Sequence, residues 1–149
     1  MKKKGIIQVL IVDDEDRFRS TTKTNLEKRG FEVRAAATGA EAIEEIRRDE
    51  VDVVVLDVKM PGMDGNEVLH RMKALKPDLE VIMLTGHGTM RSALIAFRDE
   101  VFEYLSKPCD TDTLADTIRN AAAHKTGSIH GAEWYSIWSK AEPGSVEED

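Results

Sequence analysis

Cysteine is all but absent from this chain. Cys109 stands alone, so no disulfide can close within the chain, and a reducing, cytoplasmic setting is the natural expectation. Long apolar runs are missing too, which excludes a membrane-spanning helix. The lysines at positions 2–4 precede only a short apolar stretch, 6–12, which contains Gln8 and runs into Asp13-Asp14 without a small-residue cleavage site. It reads as a strand behind solvated lysines, not as a signal peptide. Positive charge is in deficit: a formal net charge of −7 argues against non-specific binding to nucleic acid or to an anionic membrane, and no direct nucleic-acid or membrane partner is expected. There are no useful internal repeats, and His70, His87, His124 and His130 show no metal-ligand spacing with other residues. What remains, 149 residues with 41% hydrophobic and 33% charged content, suits one soluble domain with its own core.

The stretch that organises the rest is 53–65, VVVLDVKMPGMDG. Four apolar residues in succession, three of them β-branched, read as a strand buried on both faces. Asp57 follows where that strand should end, and Pro61-Gly62 and Asp64-Gly65 impose a tight loop before the next helix. Open α/β sheets bind their ligands at the carboxyl ends of buried strands. On its own an aspartate there reads as a loop or capping residue, so its chemistry depends on what the chain brings to it.

Taken in order, 6–12 (IIQVLIV) is the first strand, and the acidic cluster Asp13-Asp14-Glu15-Asp16 follows it. A helix is predicted over 15–28, with Phe18, Thr22 and Leu26 on one face and Gly30 just past its end. A short strand at 31–35 precedes Thr38-Gly39-Ala40-Glu41, a capping-box spacing that opens a helix with Ala42, Ile43 and Ile46 inward. The third strand covers 51–56, and the helix after it carries Val68, Leu69 and Met72 as its apolar stripe, stopped before Pro77. Strands at 79–85 and 102–105 flank a predicted helix at 89–98. Asp110 caps a final helix with Leu114, Ile118 and Ala121 or Ala122 facing the sheet. Five alternations specify an α/β fold: a doubly wound, flavodoxin-like parallel sheet with helices on both faces. Short connections and the handedness rule favour the order 2-1-3-4-5. In that order Asp13, Asp14 and Asp57 converge, and Thr85 and Lys107 open onto the same rim.

Crowded carboxylates repel one another. A Mg²⁺ ion with oxygen ligands, a fixed cation such as Lys107, or both would relieve them, and together they form a phosphate site with the Thr85 hydroxyl as a donor. An aspartate in such surroundings is a phosphoryl acceptor, with the protein supplying position and charge neutralisation.

Asp13-Asp14, Asp57-x-x-Met60-Pro61-Gly62-x-Asp64-Gly65, Thr85-Gly86 and Tyr104-Leu105-x-Lys107-Pro108, in that order and spacing, resemble the receiver domain of two-component response regulators. The resemblance covers roughly residues 6–123, which divides the chain into a receiver at 1–124 and a tail or linker at 125–149. It implies that Asp57 is the phosphoacceptor, charged by a sensor histidine kinase or a histidine phosphotransfer protein. It implies that Asp14 ligates Mg²⁺ directly, that Asp13 acts mainly through water, and that the backbone carbonyl of Lys59 is a further ligand. Thr85 and Tyr104 become the switch pair, Lys107 contacts a phosphoryl oxygen, and the Lys107-Pro108 bond is cis. The output surface is the face of the helix at 89–98, the fifth strand and the final helix. One stretch departs from the family pattern: Glu100-Val101 stands where receivers commonly carry Gly-Ala.

The resemblance implies a switch that catalyses only its own phosphoryl transfer and autodephosphorylation, acting alone through protein contacts or as a homodimer. The alternative with the same chemistry is a receiver cut from a longer transcriptional regulator. An Asp-nucleophile phosphatase usually needs a second acid two residues after the nucleophile, where this chain has Lys59. A flavin carrier needs a hydroxyl- and glycine-rich first loop, where Asp13-Asp14-Glu15-Asp16 would repel a phosphate. Cys109, with no base beside it, reads as structural. In the tail, Trp134, Ile137 and Trp138 have the spacing of a short amphipathic helix, and the last nine residues have a disordered composition.

Overall fold

A computed structural model describes residues 5–57, 65–85 and 101–125 of the chain. In chain order these form β1 (Gln8–Val12), α1 (Asp16–Glu27), β2 (Glu32–Ala36), α2 (Gly39–Arg48), β3 (Val53–Asp57), α3 (Gly65–Leu75), β4 (Glu80–Thr85), β5 (Glu103–Ser106) and α4 (Thr111–Lys125). The helix predicted at 89–98, Lys59, His87, Glu100 and the tryptophan-bearing tail lie outside the described residues.

The strands pair in parallel in the order β2-β1-β3-β4-β5. Both central strands, β1 and β3, are buried at all five positions, as two-sided burial requires. Their side chains alternate between two cores. Leu10, Val12, Val54 and Leu56 face α2 and α3, packing with Ile46, Leu69 and Met72. Val9, Ile11, Val53 and Val55 face α1 and α4, packing with Leu26, Leu114 and Ile118. Each such side chain contributes about 1.5–3 kcal/mol on burial, so a one-residue slip in any central strand would exchange the two cores.

The local signals explain most boundaries. Thr38 Oγ1 accepts from Glu41 N at 3.1 Å, as the capping box predicts. Its reciprocal bond lands one residue early, with Ala37 N donating to Glu41 Oε1 at 2.8 Å. Asp110 caps α4, accepting from Thr113 N at 3.3 Å and from Thr113 Oγ1 at 2.6 Å. After α1 the chain makes one more turn residue than expected: Lys28 is the C-cap, and Gly30, at φ +95°, reverses the chain into β2. An L residue there would be strained.

The order of the strands reverses at β1 and β3. The carboxyl rim at such a switch point is the place where sheets of this kind receive ligands.

Candidate functional site

Asp13 is the first residue beyond β1, and Asp57 is the last residue of β3. The register places Val12 beside Leu56, so the two carboxylates emerge from adjacent strand ends. Both are buried, at 1% and 7% exposure, while Asp14 is exposed. One oxygen from each of Asp13, Asp14 and Asp57 lies within 4.8 Å of the others. Among the described residues this is the one such cluster of His, Cys, Asp and Glu.

Asp13 is held on every side. Its amide donates to Ala36 O at 3.1 Å, and its carbonyl accepts from Arg19 Nη1 at 2.8 Å. Oδ1 accepts from Glu15 N at 2.9 Å, and Oδ2 accepts from Lys107 Nζ at 2.6 Å. Lys107 Nζ also lies 3.8 Å from Asp57 Oδ2. It reaches this position from the loop after β5, through a cis Lys107-Pro108 bond. Partial burial opposes the ammonium charge, but the hydrogen bond and charge of Asp13, with Asp57 and Glu15 behind it, outweigh burial and raise the lysine pKa. The group therefore stays cationic.

Thr85 ends β4 beside Ser106 of β5, on the same rim. Tyr104, one register step earlier opposite Met83, is 3% exposed, and burial pushes its phenol up to about 12. The tyrosine belongs to the α2–α3 core. Burial first, then the charges of Asp110 and Glu103, raises the Cys109 pKa and disfavours its thiolate. His124 lies at the far rim, with Nδ1 2.6 Å from Glu80 Oε2, well away from the acidic cluster in the fold.

Two contributors were not singled out for the site from the sequence. Arg19 ties the carbonyl of Asp13 to α1 and pairs with Asp16. Phe18, read as a core-facing residue, places its ring centroid 4.4 Å from Lys107 Nζ. Their only signal is position: they fall in the first turns of α1, just after the acidic cluster. Phe18 and Lys107 also border a cavity of about 530 Å³ between α1 and the β5–α4 loop.

Counting the clustered groups alone, three carboxylates face one ammonium, which leaves two negative charges. A divalent cation balances that excess. The donors are all carboxylate oxygens, the set that suits Mg²⁺ and leaves places for water. Next to them stands a fixed cation able to meet an anion's oxygens.

A family model described as the response regulator receiver domain matches residues 9–119. The chain is 35% identical over 113 residues to the C4-dicarboxylate transport transcriptional regulatory protein DctD of Rhizobium meliloti (strain 1021), covering 76% of this chain and 25% of that one. It is 35% identical over 118 residues to the transcriptional regulatory protein ZraR of Escherichia coli (strain K12), covering 79% and 27%. It thus spans about a quarter of the length of these curated relatives. Among solved structures, a response regulator receiver domain protein from Clostridium thermocellum superimposes with a TM-score of 0.75 at 35% identity, covering 83% of this chain and 100% of that one. The response regulator TrrA of Thermotoga maritima, solved in complex with Mg²⁺-BeF, gives 0.71 at 32% identity, covering 78% and 99%.

Proposed function

The chain belongs to the response regulator receiver domain family, and from that premise we propose that Asp57 accepts a phosphoryl group from a sensor histidine kinase or a histidine phosphotransfer protein. The observation that carries this reading is the grouping of three carboxylate oxygens within 4.8 Å, with Lys107 Nζ 3.8 Å from Asp57. An Asp57 oxygen attacks phosphorus, the P–N bond of the donor phosphohistidine breaks, and its electron pair leaves on the imidazole. The product is an acyl phosphate, and the chain acts as a switch rather than as an enzyme on an external substrate.

The carboxylates of Asp14 and Asp57 and the backbone carbonyl of Lys59 would hold Mg²⁺. Asp13 would act through water, in keeping with both its oxygens already accepting hydrogen bonds. Bound Mg²⁺ supplies charge neutralisation to the phosphoryl oxygens. Lys107 turns from Asp13 to one of those oxygens, Thr85 donates to another, and Tyr104 occupies its inward position behind them. The signal leaves through the face that includes β5 and α4. We place the protein in the cytoplasm, with the receiver at 1–124 and a linker or tail at 125–149; among the described residues no helix is long and apolar enough to cross a membrane.

A second reading makes this chain the receiver of a longer transcriptional regulator. It is supported by the quarter-length coverage of DctD and ZraR. The native reading frame beyond residue 149 separates the two.

Incubation with acetyl phosphate and Mg²⁺, followed by intact-mass measurement, should add one phosphoryl group to the wild type and none to Asp57→Asn. Equal labelling of both would mean that Asp57 is not the acceptor.

A further inference from the structure

We propose that Phe18 is a positioning residue for Lys107: its ring face holds the ammonium over the acidic cluster, so that the lysine can pass from Asp13 to a new anion on Asp57. The proposal rests on the phosphoacceptor reading above. Among the described residues, Lys107 Nζ lies 2.6 Å from Asp13 Oδ2, 3.8 Å from Asp57 Oδ2 and 4.4 Å from the Phe18 ring centroid. The ring distance is well inside the range in which an aromatic quadrupole attracts a cation.

The ring has a stable seat. Phe18 lies on α1, and its side chain is partly buried against the core that α1 and α4 share. The lysine is held at its head, through Nζ. It is a flexible side chain on a loop, 22% exposed, beside a cavity of about 530 Å³ into which other rotamers could swing. Asp13 holds the head of that side chain now, yet transfer requires the head to leave Asp13. A third carboxylate in the place of Phe18 would hold the ammonium too, but it would compete with a phosphoryl oxygen for it. An aromatic face attracts the charge without adding a full charge of its own. An aliphatic side chain of similar bulk would fill the space and lack the attraction.

The test uses the full chain, acetyl phosphate and Mg²⁺, with the initial rate of Asp57 labelling read by intact mass. Phe18→Leu should slow labelling about threefold to tenfold, and Phe18→Tyr should restore it to within about twofold of wild type. Phenylalanine with one, two or three ring fluorines at position 18 keeps the shape and weakens the ring face stepwise, so the rate should fall in the same steps. In a Lys107→Ala background, Phe18→Leu should have no further effect. A flat fluorine series overturns the proposal even if Phe18→Leu is slow, because packing alone then explains the loss. Should Phe18→Leu fail to fold, the fluorinated chains decide the matter by themselves. A wild type that takes no phosphoryl group at all overturns the phosphoacceptor reading and this one with it, whereas a wild type that labels normally beside a flat series overturns only the role of Phe18.

Discussion

The two rims of the sheet both gather buried carboxylates, and they treat them in opposite ways. At the carboxyl rim, Asp13, Asp14 and Asp57 crowd within 4.8 Å and share one lysine. At the amino rim, Asp52 is 3% exposed, accepts from Gln8 N at 2.8 Å and has Lys125 Nζ 3.7 Å away. Glu80 sits 2.6 Å from His124 Nδ1, with Lys73 and Lys125 adding positive charge. Gln8 Nε2 donates to Glu32 Oε1 at 2.5 Å. These three amino-rim acids, Asp52, Glu80 and Glu32, thus have local partners, as burial demands of groups that hold a fold together. Among the described residues, the carboxyl rim instead crowds three acids together beside Lys107, the kind of cluster that makes a candidate functional site. The same residue type meets a basic or amide partner at one end of a strand and its own kind at the other.

Truncating Asp52 should break this comparison most visibly. Asp52→Ala leaves the Gln8 amide and Lys125 without their acceptor and should cost about 3 kcal/mol in chemical denaturation; a neutral result would mean that the amino rim is not a structural clasp. Next comes Mg²⁺. At a concentration about a hundred times Kd it should stabilise the wild type by about 2.7 kcal/mol. Asp14→Ala should lose most of that gain, while Gln substituted for Glu80 should keep it. An Asp14→Ala chain that still titrates like wild type would remove Asp14 from the metal site.

A smaller effect separates the rims by pH. Burial raises the Glu80 pKa above 4.5, against the opposing pull of His124, Lys73 and Lys125. A carboxyl raised on folding binds its proton more tightly in the folded chain. Its stabilising contribution is therefore complete below pH 4.5 and lost as pH climbs through the raised folded value. Glu80→Gln should flatten the stability profile in the window that opens at 4.5 and extends upward. An unchanged slope would assign the pH dependence to other groups. The smallest change is expected at Asp14, which is exposed. In Mg²⁺-free, low-salt buffer Asp14→Asn should leave the fold slightly more stable than wild type, and added salt should erase the gain. A loss of stability would contradict the claim that this rim is overcrowded.

Much of this was legible beforehand, for reasons that particular residues make plain. The alternation of strand and helix is local, and so is the two-sided burial of Val53 to Leu56, which needs nothing beyond an apolar run. Thr38 and Asp110 cap their helices because a short polar side chain three residues before a free amide has one obvious bond to make. Asp57 was found at the end of β3 because its strand was found. The amino rim was not foreseen. Nothing near His124 in the chain points to Glu80, 44 residues away, so this pairing was not named from the sequence. Phe18 was assigned to the core from its spacing, and spacing cannot tell a ring that packs on leucine from one that also faces an ammonium 89 positions along the chain.

The sequence alone determined which residues are apolar, how they alternate, and therefore that there are five parallel strands with Asp13, Asp57 and Lys107 at their carboxyl ends. Periodicity and capping are properties of neighbours in the chain, and neighbours are visible in a string of letters. Only the tertiary structure decided that Asp13 spends its two oxygens on Glu15 and Lys107, that the aromatic ring of α1 lies over that lysine, and that Glu80 and Asp52 lie beside His124 and Lys125. Electrostatic and hydrogen-bonded partnerships depend on distances of a few ångströms between residues far apart in the chain, and those distances exist only once the sheet has closed its register.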